Sequence, residues 1–263
     1  MAERPPNRCI YCEGTGVSKE HYWGRWCGKY RLSACEKTVH TTDWAGELDA
    51  KERSGDPISQ TIRKVCRECN NGWLNEVDQR ADKVIEHILV KNRTSITPQQ
   101  QLELATWVVT NSMSWEFRHE QTRSTPQSER NFVRAHLLPP PTWTVWMGVG
   151  DGTFCGDILR AVVGDPFAKP FNIAQVTTIG LNKLVFHSFS TAYQTHQGLE
   201  SVMQRKGLAK ISTPRADVTH SMVRRRTFAQ TEDLHYEIFD IAFGCNLKAS
   251  WKRTDRTGHW KTE

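Results

Sequence analysis

The 263 residues, 38% hydrophobic and 24% charged, have an ordinary globular balance that allows one large domain or two smaller ones. No run approaches the roughly 18 apolar residues of a membrane span, and the start MAERPPNRC lacks the apolar middle of a secretory signal, so a cytoplasmic chain with no membrane partner is expected. With 35 Lys and Arg against 29 Asp and Glu, the formal charge of +6 permits a polyanionic partner without demonstrating one.

The first element is a pair of cysteines, Cys9-Ile-Tyr-Cys12, matched far along the chain by Cys66-Arg-Glu-Cys69. Two Cys-x-x-Cys pairs in a reducing compartment favour metal over disulfide, and four thiolates are the ligand set of a closed, structural zinc site. The competing reading is four buried or redox-active thiols. Cys27, Cys35 and His40 fit no common metal spacing and read as ordinary, as do the lone Cys155 and Cys245.

Between the pairs, Ser18 to Trp26 reads SKEHYWGRW, with the carboxylate of Glu20 directly before His21. The polar stretch from Gly46 to Ser59 reads as an exposed excursion. After Gly72, apolar residues at Leu74, Val77, Ala81, Val84 and Ile88 describe one face of a helix that starts at the second cysteine pair. Asn71 and Gly72 read as the turn into it, and Trp23, Trp26 and Trp73 as packing residues.

A second helix is announced by Thr97-Pro98-Gln99-Gln100, an N-cap threonine with proline at the first helical position and glutamine three residues after the cap. Its apolar face is Leu104, Trp107, Val108 and Trp115. A third begins at Thr125-Pro126 and runs through Phe132, Val133 and Leu137 to the prolines at 139 to 141. Beyond them TWTVWMGVG, ILRAVVG, NIAQVTTIG and KLVFHSFST, rich in β-branched and aromatic residues, read as antiparallel strands. HYEIFDIAF is a strand or a helix, and WKRTDRTGHWKTE a loose tail. Arg224 to Arg226 and Lys252-Arg253 read equally as a nucleic-acid track or a soluble face.

The ordered set CIYC at 9 to 12, EHYWGRW at 20 to 26 and VCRECNNGW at 65 to 73 resembles the zinc-stapled branch of the HNH endonucleases. The resemblance covers about the first 80 residues. It implies a ββα-metal (treble-clef-like) module with His21 as general base, Glu20 as acidic metal ligand and Asn70 as the helix-borne ligand. Two departures stand out: Gln60 and Thr61 occupy the neighbourhood where many members carry a middle asparagine, and Gly24 stands where members often have proline. A carboxylate and a neutral amide suit Mg²⁺ or Mn²⁺, and histidine suits proton abstraction near neutral pH. Arg25, Lys64 and Arg67 lie near these residues in sequence and are candidate phosphate contacts, with solvated surface charge as the equal alternative.

The expected architecture is α+β: a zinc-stapled nuclease module over 1–92, a helical connector over 93–141 and a mainly antiparallel β domain over 142–263. The last is assigned to target recognition or oligomerisation. The expected activity is metal-dependent hydrolysis of DNA, with structural zinc and catalytic Mg²⁺ or Mn²⁺. The alternatives are a non-catalytic zinc-stapled DNA-binding or adaptor protein, and an HNH effector of phage–host conflict regulated by a protein or ligand through its C-terminal region.

Overall fold

In the computed structural model, residues 8–30, 37–44, 47–54, 59–92, 95–118, 123–164, 172–191, 198–214, 218–219, 225–226, 228–243, 251–253 and 260–262 are described. Cys35, Cys245 and Arg224 lie outside them, as do the side chains of His40 and Cys155. The chain is a mixture of helices and a mainly antiparallel sheet.

Strand β1 (Val17–His21) pairs antiparallel with β4 (Thr61–Cys66), in a register that sets Val17 opposite Cys66 and His21 opposite Thr61. A 3₁₀ helix over Arg25–Tyr30 follows β1, and then β2 (Lys37–Trp44) and β3 (Glu47–Ser54) form an eight-residue antiparallel hairpin. The excursion expected over Gly46 to Ser59 is therefore corrected for residues 47–54. Strand pairing is made by the backbone, so a charged segment with no apolar alternation still pairs when a Thr- and Val-bearing strand such as β2 lies beside it.

β4 runs straight into a single turn, α1 (Arg67–Cys69), a π-helical turn over Asn70–Leu74, and α2 (Asn75–Leu89). The backbone leaves helical geometry at Gly72 (φ −92°, ψ −114°), where the sequence placed a turn. Val77, Ala81, Val84 and Ile88 are buried, as their spacing requires.

After β5 (Ser95–Ile96), α3 (Pro98–Trp115) opens on the expected capping box: Gln100 N donates to Thr97 Oγ1 (3.3 Å) and Thr97 N to Gln100 Oε1 (2.9 Å). Leu104, Trp107, Val108 and Trp115 are buried, but so are Gln101, Thr106, Asn111 and Ser112. This helix is enclosed, which its sequence announced only on one face. In α4 (Gln127–His136), Pro126 caps the helix from an extended conformation instead of opening its first turn, and Leu137 in the left-handed region (φ 52°) ends it before the prolines.

The four expected strands merge into two long ones, β6 (Trp143–Gly164) and β7 (Asn172–Thr191), antiparallel with shifts of register near Val149 and Phe154. The Phe154 ring fills space where a Cβ on Gly150 or Gly180 would stand 2.1 and 2.4 Å from it, so both positions require glycine. Next come α5 (Leu199–Arg205), β8 (Ala209–Lys210) antiparallel to β6, β9 (Val218–Thr219) against β5, and β10 (Arg225–Arg226) parallel to β6. HYEIFDIAF lies in α6 (Phe228–Phe243), with Leu234, Ile238 and Ala242 buried at four-residue steps. Where a loose tail was expected, β11 (Trp251–Arg253) and β12 (Trp260–Thr262) pair as a short hairpin that matches Trp251 with Thr262 and Trp260 with Arg253.

Among the described residues, two apolar clusters hold these layers. One runs from the cysteine segment through α2 and α3 to the β6–β7 pair, joining Tyr11, Trp23, Ile85, Trp107 and Phe186 without a break at position 141. The other packs Trp146, Val176 and Phe189 against Met203, Leu234 and Ile238 of α5 and α6. No helix among the described residues is long and apolar enough to cross a membrane.

Candidate metal centre and adjoining cleft

The β1–β4 ladder brings the two cysteine pairs together, and Ile10 N donates to Lys64 O (2.8 Å) to fasten one turn to the other. The first turn is closed by Cys9 N to Gly14 O (2.8 Å) and Glu13 N to Cys9 O (2.9 Å); in the second, Cys69 N donates to Cys66 Sγ (3.4 Å). The sulfurs of Cys9, Cys12, Cys66 and Cys69 all lie within 4.8 Å of one another, with Cys12 and Cys66 3.5 Å apart. Four thiolates about 2.3 Å from a tetrahedral ion stand roughly 3.8 Å apart, so this cluster has the size to hold a metal ion.

The thiol chemistry points the same way. Burial pushes the Cys12 and Cys69 thiols up from their ordinary value. The same burial acts on Cys9, but backbone amides around it, that of Cys66 foremost, outweigh it and hold that thiol down. Four crowded sulfurs cannot all carry charge by themselves; a cation among them removes the conflict.

The turn is docked onto α3 by Tyr11, whose hydroxyl donates to Thr110 O (3.0 Å), lies 3.2 Å from Ser114 Oγ and whose ring meets Trp73 edge-on at 4.9 Å. Trp23 is fully buried, and Trp26 and Trp73 pack against the same core, so all three tryptophans serve packing.

At the far end of β1 the chain presents Glu20 and His21 to a cleft shared with Leu74 and Asp78 of the helical body and Asn111 of α3. Asn70, on the first turn after the cysteines, lies within hydrogen-bonding reach of the Glu20 carboxyl. Burial pushes Glu20 up to about 8, Asp78 adds to the rise, and Asn70 opposes it. Asp78 is itself raised by burial to about 7, with Asp82 adding, although the indole N–H groups of Trp26 and Trp107 face it without forming well-aligned hydrogen bonds. Two carboxyls that each resist ionisation in one cleft form a place where a cation would be welcome.

His21 is half-buried. Burial and the nearby Arg25 guanidinium both depress its pKa, which keeps the imidazole neutral and able to accept a proton at neutral pH. Its strand end is fixed by Tyr22 N donating to Gln60 O (3.0 Å), and Arg118 Nη1 holds the Gln60 side chain (2.9 Å).

The structure thus draws the four cysteines together, sets Glu20 beside Asn70, and puts His21 in the Glu20 cleft with exposed Arg25 nearby. Lys64 is half-buried in β4 and Arg67 is exposed on α1, and neither lines the cleft. Sequence reasoning missed Asp78 and Asn111. Asp78 falls eight residues after Asn70 with Leu74 midway, a recurrence that marks one helical face, and Asn111 is a polar residue in the otherwise apolar stripe of Leu104, Trp107, Val108 and Trp115. No protein-family model matches the chain, and neither a curated protein nor a solved structure matches it.

Proposed function

We propose that the chain is a metal-dependent DNA endonuclease of HNH type, with a structural zinc on Cys9, Cys12, Cys66 and Cys69 and a ββα-metal module made of β1, β4 and the helical body that follows. The observation that carries this reading is the placement of Glu20 and His21 in one cleft at the end of β1, with Asn70, one residue beyond the last clustered cysteine, reaching the Glu20 carboxyl. A closed set of four thiolates leaves no position for substrate, so the chemistry belongs to the cleft.

In the cleft, His21 accepts the proton of the attacking water, a role its neutral imidazole suits. Glu20 and Asn70 offer a carboxylate and an amide oxygen to Mg²⁺ or Mn²⁺, which when bound supplies positive charge to the phosphate and the departing oxygen. Arg25 meets the flanking phosphate from the His21 side. Gln60 takes over the support of the histidine strand through its backbone oxygen, which accounts for the absence of the family's middle asparagine.

Incubating supercoiled plasmid with the protein and Mg²⁺ or Mn²⁺ tests the reading. Cleavage is expected, and His21→Ala should slow it by roughly 10² to 10⁴-fold at unchanged melting temperature. Equal cutting by the variant would remove His21 from the role of base.

A further inference from the structure

We propose, resting on the reading above, that the cation site extends beyond Glu20 and Asn70 to Asp78 of α2 and Asn111 of α3, whose side-chain oxygens hold the Mg²⁺ or Mn²⁺ ion directly or through bound water. The site is then built on four elements, β1, the π-helical turn, α2 and α3, of which only β1 lies between the two cysteine pairs.

Four observations support this. Asp78 and Asn111 line the same cleft as Glu20 and His21. Asn111 is only 7% exposed, and its Nδ2 donates to Trp107 O (2.9 Å), while its amide oxygen takes no hydrogen bond among the described residues. That oxygen is not fully enclosed, unlike Gln101 Oε1 on the same helix, and since Asn111 lines the cleft it stands open to a ligand there. Its neighbours are already engaged: Thr110 Oγ1 donates to Trp107 O (2.9 Å), and Ser114 Oγ shares a hydrogen bond with Tyr11.

The fourth observation is the turn after His21. A Cβ on Gly24 would stand 2.7 Å from Asp78 Oδ2 and 2.2 Å from Trp26 Nε1, so only glycine lets the turn close over the carboxylate. The position where the resembled family often has proline is thus given over to the approach of Asp78. A carboxylate has about four lone-pair sites, so the two facing indole N–H groups leave room for a cation or its waters. Oxygen donors with retained water are the environment that Mg²⁺ and Mn²⁺ accept.

Mn²⁺ binding to the full-length, zinc-loaded protein, followed by calorimetry and by the electron paramagnetic resonance signal of free Mn²⁺, provides the test for wild type, Glu20→Gln, Asp78→Asn and Asn111→Ala. Zinc content and near-ultraviolet circular dichroism report whether each variant is folded. One Mn²⁺ per chain is expected in the wild type, with affinity lowered about 10- to 100-fold by Asp78→Asn and by Asn111→Ala. Wild-type affinity in both variants, with loss in Glu20→Gln, overturns this inference and leaves the nuclease reading standing. If Asp78→Asn does not fold, Asn111→Ala decides alone. Absence of Mn²⁺ binding to the wild type overturns both, whereas weakened binding in the variants of a protein that cuts no DNA supports the site and sinks the nuclease reading.

Discussion

Two charged regions of this molecule lie within a few turns of each other on α3 and are built on opposite principles. At the C-terminal end of the helix, Glu116 is fully buried and pairs with the buried Arg130 and Arg160, while its Oε2 accepts from Thr125 Oγ1 (2.9 Å) and from the backbone N–H groups of Ser124 (3.2 Å) and Thr125 (3.1 Å). Burial lowers Arg130 to about 10 and Arg160 to about 9, and both stay charged at neutral pH. At Asn111, one turn earlier, the helix meets the cleft where the half-buried Glu20 and Asp78 stand without a cationic partner between them among the described residues. The first region satisfies its charges and fixes the 123–126 segment against the sheet. The second gives its carboxyls only neutral partners, the Asn70 amide and the indoles facing Asp78, and leaves them open to a ligand; the difference separates a stabilising network from a candidate reactive one.

The sharpest break in this comparison lies beneath the cleft, at the cysteines. Metal analysis is expected to find one zinc per chain. Its removal, or Cys66→Ser, should unfold the β1–β4 segment outright, because a structural zinc contributes about 10 to 16 kcal/mol, as much as an entire domain's stability. The loss would be read in the near-ultraviolet circular dichroism of Trp23, Trp26 and Trp73. A metal-free protein with that signal intact would show that the thiols do not fasten the fold. A smaller effect is expected from Glu116→Gln, which leaves two buried guanidinium groups without their counter-charge: about 3 to 5 kcal/mol in urea unfolding, with plasmid cutting per folded molecule unchanged. A variant with wild-type stability would mean that the network is dispensable and the contrast with the cleft is false.

Much of the cleft was legible because its chemistry is written locally. Cys9 with Cys12, Glu20 with His21, and Cys69 with Asn70 are each neighbours in the chain, and a β1–β4 ladder is all that is needed to assemble them. The Thr97 capping box and the Val77 to Ile88 stripe were legible for the same reason, since helix periodicity and caps are short-range properties. The Glu116 network was invisible: Arg160 reaches it from the middle of a strand, 44 residues along the chain, and only the packing of α3 on β6 and β7 brings them together. Asn111 was missed because polar residues inside a helix carry no message until its enclosure is known. Strand β3 escaped because its residues have no apolar alternation.

The smallest expected effect concerns pH and isolates the cleft from the network. Glu20, held up near 8, and Asp78, near 7, keep their protons more tightly in the folded protein than in the unfolded chain, where ordinary values near 4.5 and 3.8 apply. Ionising them therefore costs the fold stability, beginning above the unfolded values and continuing until pH passes the folded ones. His21 and His235 act in the opposite direction, since both are depressed from 6.5 by burial, but their cost arises only as pH falls below that value. Between pH 6.5 and 8.5 the histidines are silent, and the melting temperature of the zinc-loaded protein without added divalent ion should drop by a few degrees. Mg²⁺ or Mn²⁺ should abolish the drop by compensating the carboxylates, and Glu20→Gln should reduce it without any ion, leaving the smaller part due to Asp78. A flat wild-type curve would mean that water already solvates these carboxyls, and the cleft would then be no less satisfied than the Glu116 network.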